Sequence, residues 1–114
     1  MDGRRTVTDY TRPLLLGYAR HDLYPSDEDV DRLRAELSKF AAVEGFAMGS
    51  IYVERRNFAP AALNALVESL NRYELTAVVI PGWHQLELIG DPERVKQEFE
   101  RVTGARLILY NPGP

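Results

Sequence analysis

The sequence predicts a small doubly wound α/β domain: a parallel sheet of four strands in the order 2134, with helices on both faces. Three observations predict it. Short, nearly continuous apolar runs, the pattern of strands covered on both sides, alternate strictly with amphipathic helical segments. Right-handed crossovers then lay each helix over the sheet, on one face or the other. The chain has 114 residues, 45% of them hydrophobic, and no linker, repeat or low-complexity stretch, so it forms one domain able to bury a core without a metal or disulfide.

Residues 1–12 are polar and aperiodic and read as a disordered lead-in, with the domain at 13–110 and a short tail at 111–114. The apolar run at 14–19 is the first strand, closed by Arg20, His21 and Asp22. Ser26 then caps a helix whose first turn holds Asp27, Glu28 and Asp29, acids that suit the positive end of its dipole. Val30, Leu33, Leu37, Phe40 and Ala41 share one face, Gly45 supplies a left-handed stop, and Phe46 folds back onto the last turn. Residues 48–54 are β-branched and aromatic, with Ile51 and Val53 on one side and Tyr52 on the other, a second strand. Pro60 fits a first helical turn, and Leu63, Leu66, Val67 and Leu70 follow at i, i+3, i+4, i+7. Residues 75–80 form a third strand, ended by Pro81 and Gly82, and 83–90 fit either a loop or a short helical turn. Asp91 followed by Pro92 starts the last helix, with Val95, Phe99 and Val102 on its buried face and Gly104 at its end. Residues 107–109 are the fourth strand.

The absence of cysteine excludes thiol catalysis and thiolate metal sites. Fourteen Lys+Arg against seventeen Asp+Glu give a net charge of −3, which predicts weak or no binding to nucleic acid. With neither a membrane-length apolar run nor a signal core, the chain is expected in the cytoplasm and off the membrane.

Ligands of such sheets sit beyond the carboxyl ends of the strands, where strand order reverses. That points to residues 20–25, 54–57, 81–86 and 110 onward. Arg20 and Asp22 share a side and are expected to pair, with His21 turned away. No glycine-rich cradle follows the first strand, and the three acids at the first helix repel phosphate, so no cofactor is expected. A divalent cation between Asp22 and Glu54 is outweighed by a solvated charge network with Arg20, Arg55 and Arg56, so no metal is expected either. None of the four serines, Ser26, Ser38, Ser50 and Ser69, carries a nucleophile signature. Trp83, Tyr24 and Leu86 are expected to form an apolar plate ringed by Arg20, Asp22, Glu54, Arg55 and His84, a mixture that suits a binding surface.

The run LeuLeuLeuGlyTyrAlaArg at 14–20, the strand ending in Glu54, the helix ProAlaAlaLeuAsnAlaLeuValGluSerLeu at 60–70 and AlaValValIle at 77–80 resemble the catalytic domain of the serine recombinases, the resolvase and invertase family. The resemblance covers about residues 14–110 and implies that family's fold. It also implies a nucleophilic serine two positions after Arg20, and arginines that hold the scissile phosphate. Here the nucleophile position is Asp22, the arginine expected before Pro60 is Ala59, and the arginine motif after the third strand is replaced by residues 83–87. Only Arg20 and Glu54 match. The resemblance therefore implies a degenerate, stand-alone relative, a pseudoenzyme, and 12 arginines against 2 lysines suggest a high-GC bacterial source. Three functions remain open: a non-catalytic module binding a protein partner or a second copy of itself, a small-ligand binder or enzyme using the strand-end cleft, and an accessory regulator of DNA recombination. The first is the expectation.

Overall fold

The first apolar run of the chain becomes the hub of the sheet. β1 (Leu14–Arg20) lies between β2 (Ala47–Glu54) and β3 (Ala77–Ile80), and β4 (Arg106–Leu109) pairs along the far side of β3. All three pairings are parallel, and the order is β2-β1-β3-β4. The computed structural model describes residues 12–55, 61–87 and 89–110. The expected tail, and all of the lead-in but Arg12, lie outside them. Arg12 itself is tied down: its Nη1 donates to the carbonyl of Ala42 at 3.2 Å.

Alternation along β1 sorts the core into two layers. Leu15 and Ala19 face α1 (Asp27–Val43), whose Leu33, Leu37 and Ala41 are buried. Leu16 and Tyr18 face the other way, toward α2 (Ala61–Tyr73) and α3 (Pro92–Thr103). Each fully buried leucine contributes roughly 2 kcal/mol of apolar transfer, so the sheet is held from both sides. The doubly wound architecture and the strand order are those the sequence predicts.

The helix ends follow their local chemistry. Ser26 Oγ accepts from the N–H of Asp29, and the Asp29 carboxylate accepts from the N–H of Ser26, a complete capping box. Those bonds, aided by Arg32, hold the Asp29 carboxyl below its ordinary pKa. Asp91 caps α3 through the N–H of Arg94, with Pro92 in the first turn. Gly45 (φ 87) and Gly104 (φ 73) take the left-handed conformation that lets the chain leave a helix at no steric cost.

Two boundaries move. α2 runs on to Tyr73, where Glu74 (φ 53) turns left-handed and the N–H of Leu75 closes on the carbonyl of Leu70 at 3.0 Å. Leu75 therefore completes a helix end and β3 begins only at Ala77. The segment after β3 forms a single 3-10 turn, Trp83–Leu86. Among the described residues no helix is long and apolar enough to cross a membrane.

The larger departure concerns α3. It has no fully buried residue: Val95 and Phe99 are half-buried and Val102 is 55% exposed. The apolar stripe faces the sheet as expected, but the helix does not close down upon it.

Candidate functional site

The register of β1 against β2 sets Arg20 opposite Glu54 at the carboxyl end of the sheet. Both are buried, and both are engaged inside the protein. Glu54, 4% exposed, accepts from the Tyr18 hydroxyl at 3.1 Å and the Leu63 N–H at 3.1 Å through Oε1, and from the Ala62 N–H at 3.2 Å through Oε2. A carboxylate from a neighbouring strand thus takes up N–H groups in the first turn of α2 that no intrahelical carbonyl can reach, and its charge suits that end of the helix. Burial, followed by the Glu54 charge and hydrogen bond, pushes the Tyr18 phenol well above its ordinary pKa, with Arg20 acting weakly in the other direction.

Arg20 Nε lies 3.2 Å from Asp22 Oδ1, a side chain 3% exposed paired with one 52% exposed. The expected pair forms, in a tight turn where the N–H groups of Leu23 and Tyr24 both bond the carbonyl of Arg20. The Arg20 N–H donates to Gln85 Oε1 at 2.8 Å, which stitches the Trp83–Leu86 turn onto β1. Gln85 is a buried polar residue that the sequence reading missed. Its only signal is a polar side chain in the loop that topology places beside β1.

The expected apolar plate is divided between the two faces. Leu86 is buried and Trp83 half-buried in the layer with α2 and α3, whereas Tyr24 packs in the layer with α1. The turn after Arg20 carries Tyr24 toward the opposite face. Its phenol pKa is raised by burial, then by the Glu36 carboxylate and Tyr110. Of the expected polar ring, Arg20, Asp22 and Glu54 do meet, and Arg55 follows Glu54 as an exposed residue. His84 is exposed on the Trp83–Leu86 turn, its Nδ1 2.9 Å from Glu87 Oε2. The Asp22 and Glu54 oxygens are held by Arg20 and by N–H and O–H donors, and no group of three or more His, Asp or Glu fit to hold a metal occurs among the described residues. Arg56 lies outside those residues.

The second missed feature is a cleft of about 400 Å³ between α2 and α3. Tyr18, Ile80 and Leu107 of the sheet line it, with Leu63, Leu66 and Val67 on one wall and Val95, Phe99 and Val102 on the other. It is the space left by the incomplete closure of α3.

No protein-family model matches the chain, and no curated protein sequence does. Among solved structures the chain is similar to the C-terminal catalytic domain of ISC1926 TnpA, an IS607-like serine recombinase. The TM-score is 0.67 at 17% identity, over 87% of this chain and 71% of that one. At that identity the likeness shows the fold, a recombinase-like α/β domain.

Proposed function

We propose that this chain is a non-catalytic interaction module on a serine-recombinase-like scaffold, binding a protein partner at the strand-end edge around Trp83 and His84. The observation that carries this reading is the engagement of Glu54. A carboxylate buried under α2 and holding three donors is a fastener of the fold, not a reagent. Arg20 is likewise buried and paired, so a phosphodiester does not reach it without breaking the ion pair with Asp22. Where the resemblance expects a serine nucleophile, Asp22 presents a negative charge that repels the phosphate it would have to attack.

The strand-end edge has what a protein interface uses. Trp83 is half-buried on a short turn, with the exposed imidazole of His84 beside it and an ion pair at Asp22 within the same loop cluster. Aromatic anchors ringed by hydrogen-bonding groups commonly dominate binding energy. Net charge of −3 argues against duplex DNA as that partner.

Two measurements test the reading. Incubated with supercoiled DNA, the protein is expected to leave no nick and no covalent adduct, and Asp22→Ser alone is expected to gain neither activity. An adduct with the unaltered protein overturns it. For binding, His84→Ala removes an exposed contact to Glu87 and is expected to leave the melting temperature unchanged while weakening association. Because Trp83 is the only tryptophan, its emission reports directly on occupancy. Emission and quenching unmoved by a saturating partner would place the contact elsewhere.

A further inference from the structure

Of the three α-helices among the described residues, α3 alone lacks a fully buried side chain, although Val95, Phe99 and Val102 give it an apolar stripe. The cleft beneath it, about 400 Å³, falls within the size range of small-molecule sites. Its interior offers almost nothing polar. The Tyr18 hydroxyl is turned into the hydrogen bond with Glu54, so the ring adds apolar surface without a free donor. Ile89 and Gly90, which follow the Trp83–Leu86 turn, also line it.

The rim is charged, and its three charges are not equivalent. Asp91 Oδ2 accepts the Arg94 N–H as the cap of α3, and Glu98 holds Arg101, with Nε 3.1 Å from Oε1. Among the described residues, the Arg94 guanidinium has no ion pair or hydrogen bond. Glu98 is thus paired with a cation and one oxygen of Asp91 is used as the cap, while among the described residues the Arg94 charge has no partner.

We propose that the cleft between α2 and α3 binds a small amphiphile with an anionic head, its apolar body against Phe99 and Leu66 and its head on Arg94. At about 30 Å³ for a water-sized unit, the volume holds roughly a dozen such units, the scale of a medium-length alkyl chain. A protein segment fits less well, because a stable protein interface buries about 800 Å² on each side, more than a cleft of this volume offers. A guanidinium meets a carboxylate through two parallel hydrogen bonds, which favours a carboxylic acid or a similar planar anion. The cleft abuts the Trp83–Leu86 turn through Leu86, but its ligand and its test do not depend on the contact proposed at His84.

Dodecanoate, dodecanol and dodecyltrimethylammonium, each below its critical micelle concentration, are the probes. Binding is read by calorimetry and by the concentration dependence of the melting temperature, which rises with any ligand that binds only the folded state. Dodecanoate is expected to bind saturably at one site, more tightly than dodecanol, and the cationic probe least. Arg94→Gln, a surface change, is expected to weaken dodecanoate at least fivefold and leave dodecanol unchanged. Val95→Trp fills the cleft and is expected to abolish both without lowering the melting temperature; should it unfold the protein, Val67→Phe repeats the test from the opposite wall. No saturable binding by the unaltered protein overturns the proposal, as does equal loss of dodecanoate and dodecanol on Arg94→Gln. A dimer that Val102→Glu dissolves and dodecanoate does not would assign the cleft to self-association and overturn it as well.

Discussion

Glu54→Gln is expected to lower stability by about 2 kcal/mol, although it preserves shape almost atom for atom. The carboxylate holds the Tyr18 hydroxyl, the Ala62 N–H and the Leu63 N–H. An amide keeps one acceptor oxygen and replaces the other with a donor. If that oxygen serves Tyr18 and Leu63, the new NH2 group points at the Ala62 N–H, donor against donor. One partly buried N–H is then orphaned, at roughly 1–3 kcal/mol, and the remaining two bonds lose the roughly twofold strengthening that ionisation provides. Relief of the cost of burying a charge offsets part of this, which leaves about 2 kcal/mol. At about 5 °C per kcal/mol for a chain of this length, the melting temperature should fall by roughly 10 °C. Thermal and urea unfolding followed by far-ultraviolet circular dichroism measure it. In a double-mutant cycle with Tyr18→Phe, the two changes should couple by more than about 0.5 kcal/mol, since the residues share a bond. A melting temperature within about 2 °C of the unaltered protein would refute the account of Glu54 as the fastener of α2.

The Tyr18 phenol gives a pH dependence of known sign. Its folded pKa is raised, so the stabilisation is intact below about pH 10 and is lost as pH rises above it, by up to about 1.4 kcal/mol per unit. Tyr18→Phe should flatten that alkaline loss, and absorbance at about 295 nm should show one of the six tyrosines ionising only on unfolding; an unchanged alkaline unfolding curve for Tyr18→Phe contradicts this. At Gly17 a Cβ would lie 3.1 Å from Ile51 Cγ1 and 3.2 Å from Met48 Cε, so Gly17→Ala should cost about 1 kcal/mol, read as a lower urea midpoint. A gain in stability there would mean that Ile51 gives way freely. Gly104→Ala should cost about 1 kcal/mol because φ is 73 at that helix end, with Gly104→Asn milder, and equal midpoints for the two variants would remove the conformational explanation.

The elements were legible because each carries its own signal. Val78 and Val79 announce a strand, Ser26 and Asp91 announce helix starts, and Gly45 and Gly104 announce stops. Strand order followed from the alternation and from handedness. The turn at Trp83–Leu86 was not decidable, since four residues span barely one helical turn and show no period. Periodicity told which side of α3 faces inward but not how far it stands from the sheet, a matter of the summed volume of side chains from four elements. That distance is the cleft. The strand-end site was half legible: register alone brings Arg20 to Glu54, but the turn after Arg20 that sends Tyr24 to the α1 face has no residue signature. Glu54, read as a surface charge, is instead a cap for a helix that starts several residues downstream, and sequence spacing gives no hint of such a reach.

The hydrogen bond from the Arg20 N–H to Gln85 has a consequence for the order of folding. β1 and β2 are joined through the single crossover of α1, while β1 pairs with β3, Leu16 opposite Val78 and Gly17 opposite Val79, across the intervening α1, β2 and α2. Closing the longer loop costs more entropy before any pairing repays it. The β1–α1–β2 unit is thus expected to assemble first, and the β3–α3–β4 half to dock onto its exposed edge, with Gln85 latching the far end where strand pairing has run out. In hydrogen exchange the two halves should separate, with amides of α3 and β4 opening at lower free energy than those of β1 and α1. The molecule then behaves as a firm half and a yielding half, meeting along the seam between its two central strands.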